Sequence, residues 1–309
     1  MIMVGPGDIE AAAKRLNGHV VCTPVARISG FGLPFPVEMK FEQLQHTGTF
    51  KARGAFNTLL AVDVPPAGVV AASGGNHGAA AAYAARALGH PAHIFVPEMA
   101  GPSKIALIRE TGAALRVVQG EYANALEAAR AFEAESGAMQ IHAYDAPLTV
   151  AGQGTLMREW EEQGLEADTV LIAVGGGGLI AGAMAWLGRR RKIVAVEPVT
   201  SRALNAALEA GKPVDVEVSG VAANALGARR IGDICFGLAS ETGVSSVLVD
   251  DGAITAAQEA LWRTCRQLVE PAGATALAAL MSGAYIPKKE EKVAVLVCGA
   301  NIAPDPFSG

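Results

Sequence analysis

A lysine amine can form a Schiff base with a carbonyl compound only while it is neutral. Desolvation and a nearby cation both favour that state. In the stretch from Gln43 to Gly54, QLQHTGTFKARG, Lys51 follows Phe50 and stands two residues before Arg53. The aromatic ring and the guanidinium are expected to supply those two effects. A lone lysine at a helix start is more often a solvated charge. Three glycine-bearing segments farther along the chain strengthen the reactive reading.

The first is Ser73-Gly74-Gly75-Asn76-His77-Gly78. Its glycines let backbone N–H groups turn toward a ligand, and a following helix adds the positive end of its dipole. Such a turn suits a carboxylate, and Asn76 offers both a donor and an acceptor. The competing reading is a tight strand-to-helix turn capped by Asn76 and His77.

The second segment is Gly175-Gly176-Gly177-Gly178-Leu179. Four successive glycines allow a phosphate to approach bare amides. No lysine followed by Ser or Thr comes after it, which argues against a nucleoside-triphosphate loop. The same letters feed a rival. Gly176, Gly178 and Ala181 fit G-x-G-x-x-A, and Glu197 stands 21 residues after Gly176. That pattern is the dinucleotide fingerprint, so a nicotinamide-dependent oxidoreductase is the alternative of another class.

The third segment is Cys298-Gly299-Ala300-Asn301. A thiol there is either a weak donor to a ring nitrogen or a small buried hydrophobe. Glu270-Pro271-Ala272-Gly273 reads as a helix start whose carboxylate favours the dipole.

The elements that would position these groups alternate. The pattern predicts strands over 37–41, 68–72, 92–96, 115–118, 140–144, 169–174, 193–197, 247–249 and 293–297. It predicts helices over 8–18, 51–60, 78–88, 102–110, 121–135, 147–162, 179–190, 254–268 and 272–281, with a less regular region before Val247. Alternation of this kind implies parallel sheets covered on both faces, with ligands beyond the carboxyl ends of the strands. The fold class is therefore α/β.

Composition narrows the classes. The chain has 309 residues, 51% hydrophobic and 18% charged, which suits one large or two intimate domains. A net charge of −5, with no basic run longer than Arg189-Arg190-Arg191, leaves no stripe for nucleic acid. Thr169 to Gly188 is uncharged, but its glycines would break a membrane-spanning helix near the middle. Cys22, Cys235, Cys265 and Cys298 form no CxxC and are read as reduced thiols of a cytoplasmic protein without a metal site. The N-terminus lacks the basic start and apolar core of a signal peptide.

Taken together, T-G-T-F-K-A-R-G-A (Thr47 to Ala55), S-G-G-N-H-G, G-G-G-G-L, R-I-G-D (Arg230 to Asp233), V-E-P-A-G-A (Val269 to Ala274) and C-G-A-N are similar to a known set. They resemble the pyridoxal-phosphate enzymes of the tryptophan-synthase-β-like fold, and most closely the serine/threonine dehydratases, with serine racemase nearby. The resemblance implies two domains, each with a mostly parallel sheet: 1–66 with 147–309 as a large cofactor-binding domain, and 67–146 as a small mobile one. It implies that Lys51 holds pyridoxal 5′-phosphate covalently and acts as catalytic base. Phe50 would pack near the ring, Asn76 would bond its 3-oxygen, Gly175 to Leu179 would hold the phosphate, and Cys298 would face the pyridine nitrogen. Ser73, Gly74, Gly75, Asn76 and His77 would grip the substrate carboxylate.

The implied activity is loss of water and ammonia from L-threonine or L-serine. A small amino acid is then the partner, in a homodimer that binds neither nucleic acid nor membrane. Dehydration of threo-3-hydroxyaspartate, serine racemisation and β-replacement are alternatives within the group. Arg53, Arg229 and Arg230 are candidates for a second carboxylate. Racemases carry a serine at the position of Gly74, which argues against efficient racemisation. The cation site of some members looks incomplete, because Thr200 to Leu204 holds no acid to accompany Glu197. Cys298 stands where serine is commoner. No C-terminal regulatory domain is expected after the last loop.

Overall fold

The computed structural model describes residues 4–120 and 122–302. Two sheets organise it. The larger is built from β1 (Val25–Ile28), β2 (Val37–Phe41), β7 (Thr169–Ala173), β8 (Lys192–Pro198), β9 (Ser245–Val249) and β10 (Val293–Val297). Their spatial order is β1-β2-β10-β7-β8-β9, parallel except for β1, which pairs antiparallel with β2. The smaller sheet is parallel, in the order β5-β4-β3-β6. It holds β3 (Val69–Ala72), β4 (Ala92–Pro97), β5 (Ala114–Val118) and β6 (Met139–Gln140).

The two innermost strands are almost wholly apolar, TVLIA in β7 and VAVLV in β10, as strands covered on both faces tend to be. Every residue of β7 and β10 is buried. The helices α1 (Pro6–Leu16), α2 (Lys51–Ala61), α3 (Asn76–Ala87), α4 (Pro102–Glu110), α5 (Tyr122–Ser136), α6 (Pro147–Glu162) and α7 (Gly178–Leu187) come from the first two thirds of the chain. The rest supplies α8 (Ala203–Ala210), the single turn α9 (Ala223–Leu226), α10 (Asp233–Thr242), α11 (Asp251–Cys265) and α12 (Pro271–Met281).

Small side chains let these layers approach. Gly152 of α6 packs so closely on α2 that an added Cβ would lie 2.7 Å from the Gly54 Cα, and one on Gly182 of α7 would lie 2.5 Å from the Gly154 N. Helix α2 also bridges the sheets. Its Ala52, Ala55, Phe56 and Leu59 join the alanines of α3 in the core beneath the small sheet.

The structure departs from the predicted elements at several boundaries, and three departures bear on the site. The strand expected over 140–144 ends at Gln140. His142 accepts the N–H groups of Tyr144 and Asp145 on Nδ1, at 3.3 and 2.9 Å, and so turns the chain away from the ladder. Helix α3 begins at Asn76 rather than Gly78, which places Asn76 and His77 in its first turn. The region expected to be irregular contains α8 and α10. Helix α10 is capped from a distance: the Asp145 carboxylate accepts from Asp233 N and Ile234 N, both at 3.0 Å. The predicted start of α5 at Glu121 and the first three residues of the N-terminus lie outside the described residues.

Candidate active site

Parallel order places the chemistry. Strands β2, β10 and β7 are neighbours, and the segments beyond their carboxyl ends carry Lys51, Cys298 and the four glycines respectively. Strand β3 of the small sheet delivers Asn76 from the opposite side. Phe50 N donates to Cys298 O at 3.2 Å, and Thr49 bridges to Gly299, so the lysine loop is stitched to the end of β10.

Between them lies a cleft lined by Phe50, Lys51, Asn76, Tyr144, the glycine loop and Cys298. Ala225, Leu226 and Glu270 also line it. Lys51 Nζ donates to Ala143 O at 3.0 Å and sits 5.2 Å from the Phe50 ring centroid. Desolvation lowers its pKa to about 8, against the opposing pull of Cys298 and Glu270. The guanidinium of Arg53 plays no part in this, contrary to expectation. Two positions apart on a helix, the side chains leave on different faces. Arg53 is buried against Glu42 and Glu159 instead, at 2.6 and 2.9 Å.

The glycine loop is tight for a reason. A Cβ on Gly176 would stand 2.4 Å from the Tyr144 ring, and one on Gly177 2.5 Å from Cys235 Sγ. Gly177 also has φ +94°, which disfavours any side chain. The loop opens α7 at Gly178, so its bare amides and the helix dipole face the same space. Burial pushes the Cys298 thiol up, and its Sγ donates to Ala272 O at 3.4 Å; it stays protonated.

The Ser73–His77 turn is more varied than its motif. Asn76 lines the cleft. His77 turns its imidazole inward to Ile141 O at 2.9 Å; burial lowers its pKa to about 3, so it is neutral and offers the cleft only backbone. Ser73 Oγ accepts from Gly75 N at 3.2 Å. A Cβ on Gly74 would lie 2.4 Å from Ala100 Cβ.

Several groups were not assigned to the site from sequence. Glu270, read as a dipole partner, places its carboxylate in the cleft and accepts from Asn76 Nδ2 at 2.6 Å. Tyr144, expected in a strand, packs on the glycine loop. Glu197, the proposed ribose acid, is buried and accepts from Leu204 N and Asn205 N, both at 2.8 Å. Burial raises its pKa to about 7, and both oxygens serve α8.

The family model described as "Pyridoxal-phosphate dependent enzyme" matches residues 16–299. The chain belongs to this family. Its relatives include the phenylserine dehydratase of Ralstonia pickettii, 37% identical over 95% of this chain and 93% of that protein. The L-threonine ammonia-lyase of Geobacter sulfurreducens is 34% identical over 95% of this chain and 75% of its own length. Among solved structures, maize serine racemase superposes with a TM-score of 0.92 at 30% identity, over 97% of this chain and 94% of that one. A threonine deaminase of T.th. gives 0.90 at 34% identity, over 99% and 100%. Family membership removes the nicotinamide alternative, and the occupied carboxylate of Glu197 agrees.

Pyridoxal phosphate fits this cleft by donor chemistry. A neutralisable amine faces the space for its aldehyde, and glycines that tolerate no Cβ bare their amides for its phosphate. An amide and a protonated thiol border the space for its ring. Because Lys51 must be neutral to attack the aldehyde, loading of the apoenzyme should quicken about tenfold per pH unit up to about pH 8 and then level. Absorbance after mixing measures this. A rate still climbing toward the ordinary lysine range would contradict the depressed pKa.

Proposed function

We propose that this member of the pyridoxal-phosphate family eliminates water and ammonia from L-threonine or L-serine, giving 2-oxobutyrate or pyruvate. The desolvated Lys51, set between the glycine loop and Asn76, carries this reading. The bound cofactor supplies a conjugated, electron-withdrawing ring that acidifies the substrate Cα–H.

The residues do the rest. Lys51 holds the cofactor at rest and, once freed, takes the Cα proton; its lowered pKa keeps the amine basic but largely neutral near physiological pH. The amides of Gly175 to Leu179 neutralise the phosphate, Phe50 packs near the ring and Asn76 donates to the ring oxygen. Backbone N–H groups of the Ser73–His77 turn hold the substrate carboxylate at the start of α3. Cys298, being neutral, leaves the pyridine nitrogen without a strong proton source, which favours prompt departure of the β-hydroxyl. The released enamine then hydrolyses in water. Gly74, packed against Ala100, leaves no room for a second-face acid, which supports elimination over racemisation.

Tyr144 and Leu226 pack on the glycine loop and, with Ala225, line the cleft. Lys51 is the one cation among the lining residues described. Two of the three arginines considered for a second carboxylate are engaged elsewhere: Arg53 is paired in the core, and Arg230 faces Asp215 at 3.5 Å; Arg229 is not among the residues that line the cleft. Threonine and serine should therefore exceed threo-3-hydroxyaspartate in kcat/KM by about tenfold or more. Assays of 2-oxo acid and ammonia with the three substrates test this, and preference for hydroxyaspartate would overturn it. We also propose that 67–146 moves as a small domain toward the rest, supported by its separate sheet across the cleft. A homodimer is supported by the family resemblance, and a cytoplasmic location by the four unpaired cysteines among the described residues.

A further inference from the structure

An asparagine amide presents a donor or an acceptor according to how it is turned, so something must choose for Asn76. The choice can be traced to a backbone carbonyl. Thr47 and Gly48 both have positive φ, +59° and +69°, in the turn that leads to Lys51. Thr47 O, which can only accept, takes a hydrogen bond from Asn301 Nδ2 at 2.8 Å. The same Asn301 nitrogen donates to Asn76 Oδ1, also at 2.8 Å. Asn76 must then turn its NH2 the other way, where one N–H reaches Glu270 Oε1 at 2.6 Å.

Both ends of this chain are acceptors, a carbonyl and a carboxylate, and every link agrees in direction. Space has been left for it. A Cβ on Gly48 would stand 2.8 Å from Asn301 Oδ1, and one on Gly299 2.0 Å from Glu270 Oε1.

We propose that Asn301 is a positioning residue that sets the polarity of the Asn76 amide, so that Asn76 offers the cofactor ring oxygen an N–H and not a carbonyl. The inference rests on the reading of Asn76 as the partner of that oxygen. Its consequence is specific. A donated N–H stabilises the deprotonated ring oxygen, whereas a carbonyl would hold the proton on it. The network also spans the cleft, because Asn301 and Glu270 flank the large sheet and Asn76 opens the helix on the small one.

Asn301→Asp keeps the shape and removes the donors. The carboxylate of residue 301 would then compete with Glu270 for the Asn76 NH2, drawing the donated N–H away from the ring oxygen. In the purified holoenzyme, the pH midpoint of the visible cofactor band should rise by about one unit, and the Kd for pyridoxal phosphate by about tenfold. In an Asn76→Ala background, the same change should alter neither quantity by more than about twofold, since coupled residues do not add. Asn301→Ser, which keeps one donor, should shift both in the same direction by less.

The inference is overturned if Asn301→Asp and Asn301→Ser leave band and Kd at wild-type values, or if the Asn301→Asp effect persists in full without Asn76. If Asn76→Ala itself leaves both unchanged, the reading of Asn76 falls, and the inference falls with it.

Discussion

Lys51→Ala should lower elimination by about 10⁴-fold or more, because in the proposed function one side chain is both the covalent anchor and the Cα base. Stability should hardly change. The amine makes one hydrogen bond, to Ala143 O, and its desolvation opposes the charged state. An unfolding midpoint near that of the wild type, measured beside ammonia release, would separate chemistry from folding. Appreciable turnover by the alanine variant would remove Lys51 from the mechanism.

Arg53→Met should cost about 3–5 kcal/mol of stability, through an uncompensated buried charge. The guanidinium is 1% exposed and Glu42 is fully buried. Burial alone would lower the Arg53 pKa, but the Glu42 and Glu159 carboxylates outweigh it and raise it. Lys40 joins the same cluster, 2.5 Å from Glu159. Desolvation lowers its pKa against the pull of that carboxylate. Removing one cation therefore strands Glu42 in the core. The double change Arg53→Met with Glu42→Gln should recover a large part of the loss, because it removes both charges. Urea unfolding of the three proteins measures this. A single variant as stable as the wild type would show that the pair carries little net energy. The cluster also anchors α2 two residues beyond Lys51, so the single variant should bind cofactor less tightly as well.

Much of the site was legible because its motifs sit where strand ends must be. Lys51, Gly175 to Gly178 and Cys298 each follow a strand of the large sheet, and a parallel sheet collects such positions along one edge. The sheet order was not legible. Nothing local shows that β10, last in the chain, inserts between β2 and β7. That insertion makes Cys298 and Glu270 neighbours of Lys51. Glu270 was read through its own helix because its partner, Asn76, lies far away in sequence. Helix α10 was missed for a similar reason, since its capping carboxylate belongs to Asp145. His77 misled in the other direction. The motif places it in a polar turn, but the carbonyl of Ile141 draws its ring into the core. Residues whose roles depend on strand order or distant caps are thus the ones that local pattern reading misassigns.

The proposed function requires that Lys51, and no other amine, carry the cofactor. Hydride reduction of the holoenzyme followed by peptide mapping tests it most directly. Reduced pyridoxyl phosphate should be fixed to the peptide containing Phe50 and Lys51, at one group per chain. Label on another lysine, or a protein that retains no label, would contradict it.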